Sequence, residues 1–87
     1  MPVQITGVLP RQLDSIVRKV LHQMLDARPQ EFLVEISRPH AELIVHFQGP
    51  LEKRLKFNGT FETEVARELQ AVVGEIIDEE FGPIQKP

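Results

Sequence analysis

The residues that could carry chemistry in this chain are three histidines, two serines and a row of carboxylates. His22, His40 and His46 each bring an imidazole, a metal ligand and a proton carrier near neutral pH. A zinc site needs three or four ligands converging at about 2.0–2.3 Å. No two of these histidines stand four residues apart, as two ligands on one helix turn would, and the chain has no cysteine. That absence also excludes disulfides and thiol nucleophiles. Ser15 and Ser37 lack the flanking glycines of a nucleophile elbow; Ser15 reads as an exposed helix position and Ser37 as a strand end. Glu75, Asp78 and Glu79 share one helical face. Paired carboxylates do acid–base work when their surroundings push their pKa values apart, which a solvated row does not do. Gly49, Gly59, Gly74 and Gly82 are scattered, so no phosphate-cradling loop forms. The expectation is a protein with no catalytic residues, no metal ligands and no cofactor.

The elements that would position these residues are easier to read. Leu13, Ile16, Val17, Val20, Leu21, Met24 and Leu25 follow helical spacing without a fault. Phe61, Val65, Leu69, Val72, Val73, Ile76 and Ile77 form a second stripe. Between them, Phe32–Ile36, Leu43–Phe47 and Leu51–Phe57 alternate apolar and polar residues, as half-buried strands do. Lys53 interrupts the third and marks it as an edge strand. Val3-Gln4-Ile5-Thr6 alternates as well and reads as a short first strand. Pro10 suits the first turn of a helix and Pro29 a helix end. Thr60 suits an N-cap, and Gly82-Pro83 a stop. Asp78, Glu79 and Glu80 sit unfavourably at the negative end of the second helix.

At 87 residues the chain makes one domain, 1–87, that buries roughly 60–65% of its unfolded surface. So small a core makes oligomerisation a natural aid. The net charge of −3 is uneven: residues 1–59 carry +2 and residues 60–87 carry −5. There is no basic leader and no apolar run long enough to span a membrane, so a cytoplasmic location without membrane insertion is expected. The sheet's polar face would carry His46, Arg54 and Lys56, and the first helix Arg11, Arg18 and Lys19. Glu35, Glu42 and Glu52 interleave with these cations, and the chain has neither Tyr nor Trp for base stacking.

Two resemblances follow from these residues. Leu25-Asp26-Ala27-Arg28-Pro29-Gln30-Glu31, then a strand, then Leu43-Ile44-Val45-His46-Phe47-Gln48-Gly49-Pro50-Leu51-Glu52-Lys53-Arg54-Leu55, resembles the MpsC-like family of small bacterial proteins. The likeness covers most of the chain, although the Thr-Pro pair expected after the glycine is missing. The order strand, helix, three strands, helix is similar in topology to that of ribosome hibernation factors, which bind ribosomal RNA through basic helix faces. The closing helix here is acidic, a departure from that pattern.

These readings predict an α+β two-layer sandwich, (β)-α-β-β-β-α, with two helices on one face of a small antiparallel sheet. Leu33 and Ile44, with His46 beside them, fall on the other face and could centre a homodimer interface ringed by charge. The expected function is that of a non-enzymatic interaction or regulatory module, dimeric, with an unidentified protein partner. The alternative is an RNA- or ribosome-associated protein that places Arg18, Lys19, Arg54 and Lys56 on phosphates.

Overall fold

The computed structural model describes residues 3–58 and 62–82. The elements run β1 (Val3–Thr6), α1 (Arg11–Leu25), β2 (Phe32–Ser37), β3 (Leu43–Gln48), β4 (Lys53–Phe57) and α2 (Glu62–Phe81). The four strands form one sheet in the order β1-β2-β3-β4. The α+β architecture is as expected, with one correction. The sheet is mixed rather than antiparallel, because β1 pairs with β2 in parallel. The reason is the helix between them. It carries the chain back along the sheet, so β2 must start from the same end as β1. The β2–β3 and β3–β4 pairs are antiparallel.

The strand directions set the helix directions. β1, β2 and β4 all run the same way, and β1 and β4 are each followed by a helix. The helices therefore return in the same direction and lie parallel. The contacts agree: Met24 meets α2 at Gly74, and Arg28 meets it further along, at Asp78. The core lies between this helical layer and one face of the sheet. Phe32, Val34, Ile36, Leu43, Val45, Phe47 and Phe57 from the sheet meet Leu13, Val17, Leu21, Leu25, Val65, Leu69, Val73 and Ile77 from the helices. Met24, Leu55, Val72 and Ile76, expected in the core, pack against it half-buried. Val3 and Leu51, at apolar positions of the alternating segments, are core residues as well, and so is Leu9, which no periodicity marks.

Several boundaries differ in detail. Pro10 caps α1 rather than opening it, and offers no side-chain bond. Asp14, in the first turn, instead reaches back to the residue before the cap, accepting the Leu9 N–H at 3.1 Å. α1 stops at Leu25, one turn before Pro29, which has no N–H to give the Leu25 carbonyl; the Arg28 N–H takes that carbonyl instead, at 3.1 Å. β4 begins at Lys53, two residues later than the alternation suggests, and Leu51 is buried in the approach to it. Thr60, Phe61 and Pro83 lie outside the described residues. Gly82 has φ +77° and donates its N–H to the Asp78 carbonyl at 2.9 Å, an αL ending for α2.

Candidate functional site

The helices cover one face of the sheet and leave the other open. Its side chains fall into rows across the strands. The first row is Gln4, Leu33 and Gln48; the second is Thr6, Glu35, His46 and Arg54; the third is Ser37, Ile44 and Lys56. The rows exist because strand side chains alternate, and the helix face has taken every apolar position of the other parity.

The interface residues expected from sequence are all on this face, but they do not meet. Leu33 and Ile44 lie in the first and third rows, separated by Glu35 and His46. Four residues along a strand put those rows about 13 Å apart. Leu33 is 44% exposed, whereas Ile44 is only 7% exposed between Ser37 and Lys56. The face thus has no continuous apolar centre. His46 is half-buried between Glu35 and Arg54, with Nε2 3.6 Å from Glu52 Oε1 and Nδ1 3.4 Å from Gln48 Nε2. Lys56 Nζ stands 2.8 Å from Glu42 Oε2, an ionic contact along the same face.

The four cations suited to phosphate binding divide into two kinds. Arg18 is fully engaged: its Nε donates to Asp14 Oδ2 at 2.9 Å, and its two terminal nitrogens donate to the carbonyls of Ile5 and Gly7. It fastens α1 to β1. Lys56 is held by Glu42. Lys19 and Arg54 are exposed, and among the described residues neither forms an ion pair.

The groups that could do chemistry are dispersed. His22 pairs with Asp26 at 3.1 Å near the end of α1. His40 is exposed in a single 3₁₀ turn, Pro39–Ala41, at φ +52°. Among the described residues no three His, Asp or Glu gather as a metal site. None of the described helices is long and apolar enough to cross a membrane. A shallow, open depression lined by Arg11, Gln12, Ser15, Ile16 and Thr63 lies between the starts of the two helices. Ser15 is exposed there and has no base within reach among those residues.

Two polar groups that sequence reasoning passed over are structural. Arg28 is 7% exposed; it donates to Asp78 Oδ1 at 2.9 Å and to the Gly82 carbonyl at 3.0 Å. A cation at the carbonyl end of α2 opposes the negative end of its dipole. It also answers the unfavourable placement of Asp78. The second is Asp14. The Leu9 N–H, helped by the Arg18 guanidinium and opposed in part by burial, holds its carboxyl below the usual 3.8. The Asp14–Arg18 spacing of four was the available signal; Arg28 carried none, since its partners are 50 and 54 residues away. Comparison with family models, with curated proteins and with solved structures finds no match for the chain.

Proposed function

We propose that this protein is a non-enzymatic interaction module that works as a homodimer through the open face of its sheet. One observation carries the reading. Four strands present a face that the helical layer leaves bare, with Leu33 exposed among polar and charged side chains. Its size sets the expected strength. Full overlap of the four strands, three strand spacings plus one strand width by five or six residues, would make a footprint of at most about 350 Å² per copy. Two copies then bury no more than roughly 700 Å², which belongs with weak, transient interfaces.

Sedimentation over a wide concentration range tests this directly. Wild type should pass from monomer to dimer, and Leu33→Asp should remain monomeric with its fold intact, because Leu33 is half-exposed. Ile44→Asp is the poorer test, since that side chain is already buried and the change would disturb the strand itself.

The RNA-associated reading is supported by Lys19 and Arg54, both exposed and without ion pairs among the described residues. An RNA titration of Arg54→Glu/Lys56→Glu beside wild type separates the two. Loss of each phosphate contact would flatten the salt slope by about 0.7–0.9. A monomeric wild type whose RNA affinity collapses in the charge reversal would replace the dimer reading.

A further inference from the structure

We infer that the second copy docks with its strands parallel to those of the first, about a two-fold axis running along β3, so that Glu35 of each copy faces Arg54 of the other. This rests on the homodimer reading and assigns its geometry. Glu35 and Arg54 occupy the same row, on the strands either side of His46. Both are exposed, and among the described residues neither forms an ion pair. Unpaired surface charges are ordinary. What sets these apart is their symmetry: opposite signs, at one level, on the two strands that flank β3, so that β2, β3 and β4 of one copy overlap the same three strands of the other and each β1 stays uncovered.

Symmetry then decides between two ways of laying the face on itself. A homodimer about a two-fold axis sets the same patch against its own copy. An axis along β3 exchanges left and right but keeps the level along the strands. β2 then lies over β4 of the second copy, and each Glu35 meets an Arg54. An axis across the strands keeps left and right. It sets Glu35 against Glu35 and Arg54 against Arg54, two like-charge contacts that work against association. The first arrangement also brings His46 over His46 at the axis. Level with Leu33, the second copy presents the approach to its β4, where Glu52 is drawn toward its own His46. Facing sheets stack about 10 Å apart, a gap that Glu and Arg side chains close between them.

The test is a charge swap read by sedimentation. Glu35→Arg alone and Arg54→Glu alone should each weaken the dimer about tenfold, and the double variant Glu35→Arg/Arg54→Glu should return to near wild type. Because the chain has no cysteine, a second measurement does not depend on those variants folding. With a short bismaleimide, Glu35→Cys mixed with Arg54→Cys should give a mixed cross-link, His46→Cys should cross-link to itself, and Glu35→Cys alone should not. Self-linking of Glu35→Cys in a protein that still dimerises would overturn the geometry and leave the dimer standing. So would a double variant no tighter than the singles. A wild type that stays monomeric at its highest soluble concentration would remove the homodimer and this geometry together.

Discussion

The corner where β1 meets α1 and the seam where α1 meets α2 are both closed by an arginine, but in different ways. At the corner, Arg18 is 33% exposed in its side chain and binds partners within 13 residues: Asp14 one turn away, and the carbonyls of Ile5 and Gly7. At the seam, Arg28 is buried and reaches the far end of the chain. The arginine clasp at the corner is a local device, built from groups near in sequence, although its glycine lies against the backbone of β2 at Ile36. The seam is a long-range one, which exists only once the helices have packed. Losing a local device strains one turn; losing the long-range one loosens the two ends of the helical layer from each other.

The largest expected effect is at the corner. Gly7 has φ +97°, and a Cβ there would overlap the carbonyl oxygen of Ile36. That atom is backbone in a paired strand and cannot step aside without moving β2. Gly7→Ala should cost about 3 kcal/mol or more, the strain of the backbone conformation plus the displaced strand. Thermal unfolding would show it as a fall of roughly 4–8 °C for each kcal/mol. An unchanged melting temperature would mean that the corner is not rigid.

Arg28→Met is next, at about 1–2 kcal/mol. The figure is below the 3–5 kcal/mol of a fully buried pair because Asp78 is well exposed and returns to water when its partner leaves. Arg28→Lys should not restore the loss. A single ammonium cannot span Asp78 Oδ1 and the Gly82 carbonyl as the guanidinium fork does. Urea unfolding of Arg28→Met, Asp78→Asn and the double variant gives the coupling; purely additive costs would show that the seam arginine acts through the Gly82 carbonyl and packing and not through Asp78.

This contrast also marks what was legible in the sequence. Periodicity located both helices, all four strands and most of the core, because apolar spacing of 3.6 or 2 is a direct imprint of one-sided burial. It also placed Leu33, Ile44 and His46 on one face. It could not show that Leu33 and Ile44 stand two rows apart, since that depends on strand register, which turns and pairing decide. The parallel pairing of β1 was implied by the helix after it but is not written in any strand's own pattern. Arg18 looked like a free cation because a helix wheel does not show the strand beside it. Arg28 was invisible, as contacts between residues 50 or more apart generally are.

Asp14→Asn sharpens the corner side of the comparison, with an expected cost of about 1 kcal/mol. Its pH dependence has a definite sign. The folded carboxyl is held below 3.8, so its contribution is fully present above the unfolded value and disappears as pH falls through the folded one. The gap in stability between wild type and Asp14→Asn should therefore hold from neutral pH down to about 5 and close in more acid solution. Parallel stability curves down to the acid limit would show that Asp14 contributes geometry and not charge.

The smallest effect is expected at Gly74, in the seam, and it is the same substitution as the largest. A Cβ at Gly74 would lie 3.2 Å from Met24 Cε. That contact is tight, but its other party is the free end of a flexible side chain, not backbone. Gly74 also sits inside α2, where alanine gains about 1 kcal/mol in helix propensity. Met24 must turn by a few tenths of an ångström to make room, and its unbranched thioether allows that at little cost. Gly74→Ala should accordingly change stability by no more than about 0.5 kcal/mol in either direction, the propensity gain offsetting the crowding. A loss as large as that of Gly7→Ala would mean that the seam is packed as rigidly as the corner. The difference between the two junctions would then lie only in how far their partners are spaced along the chain.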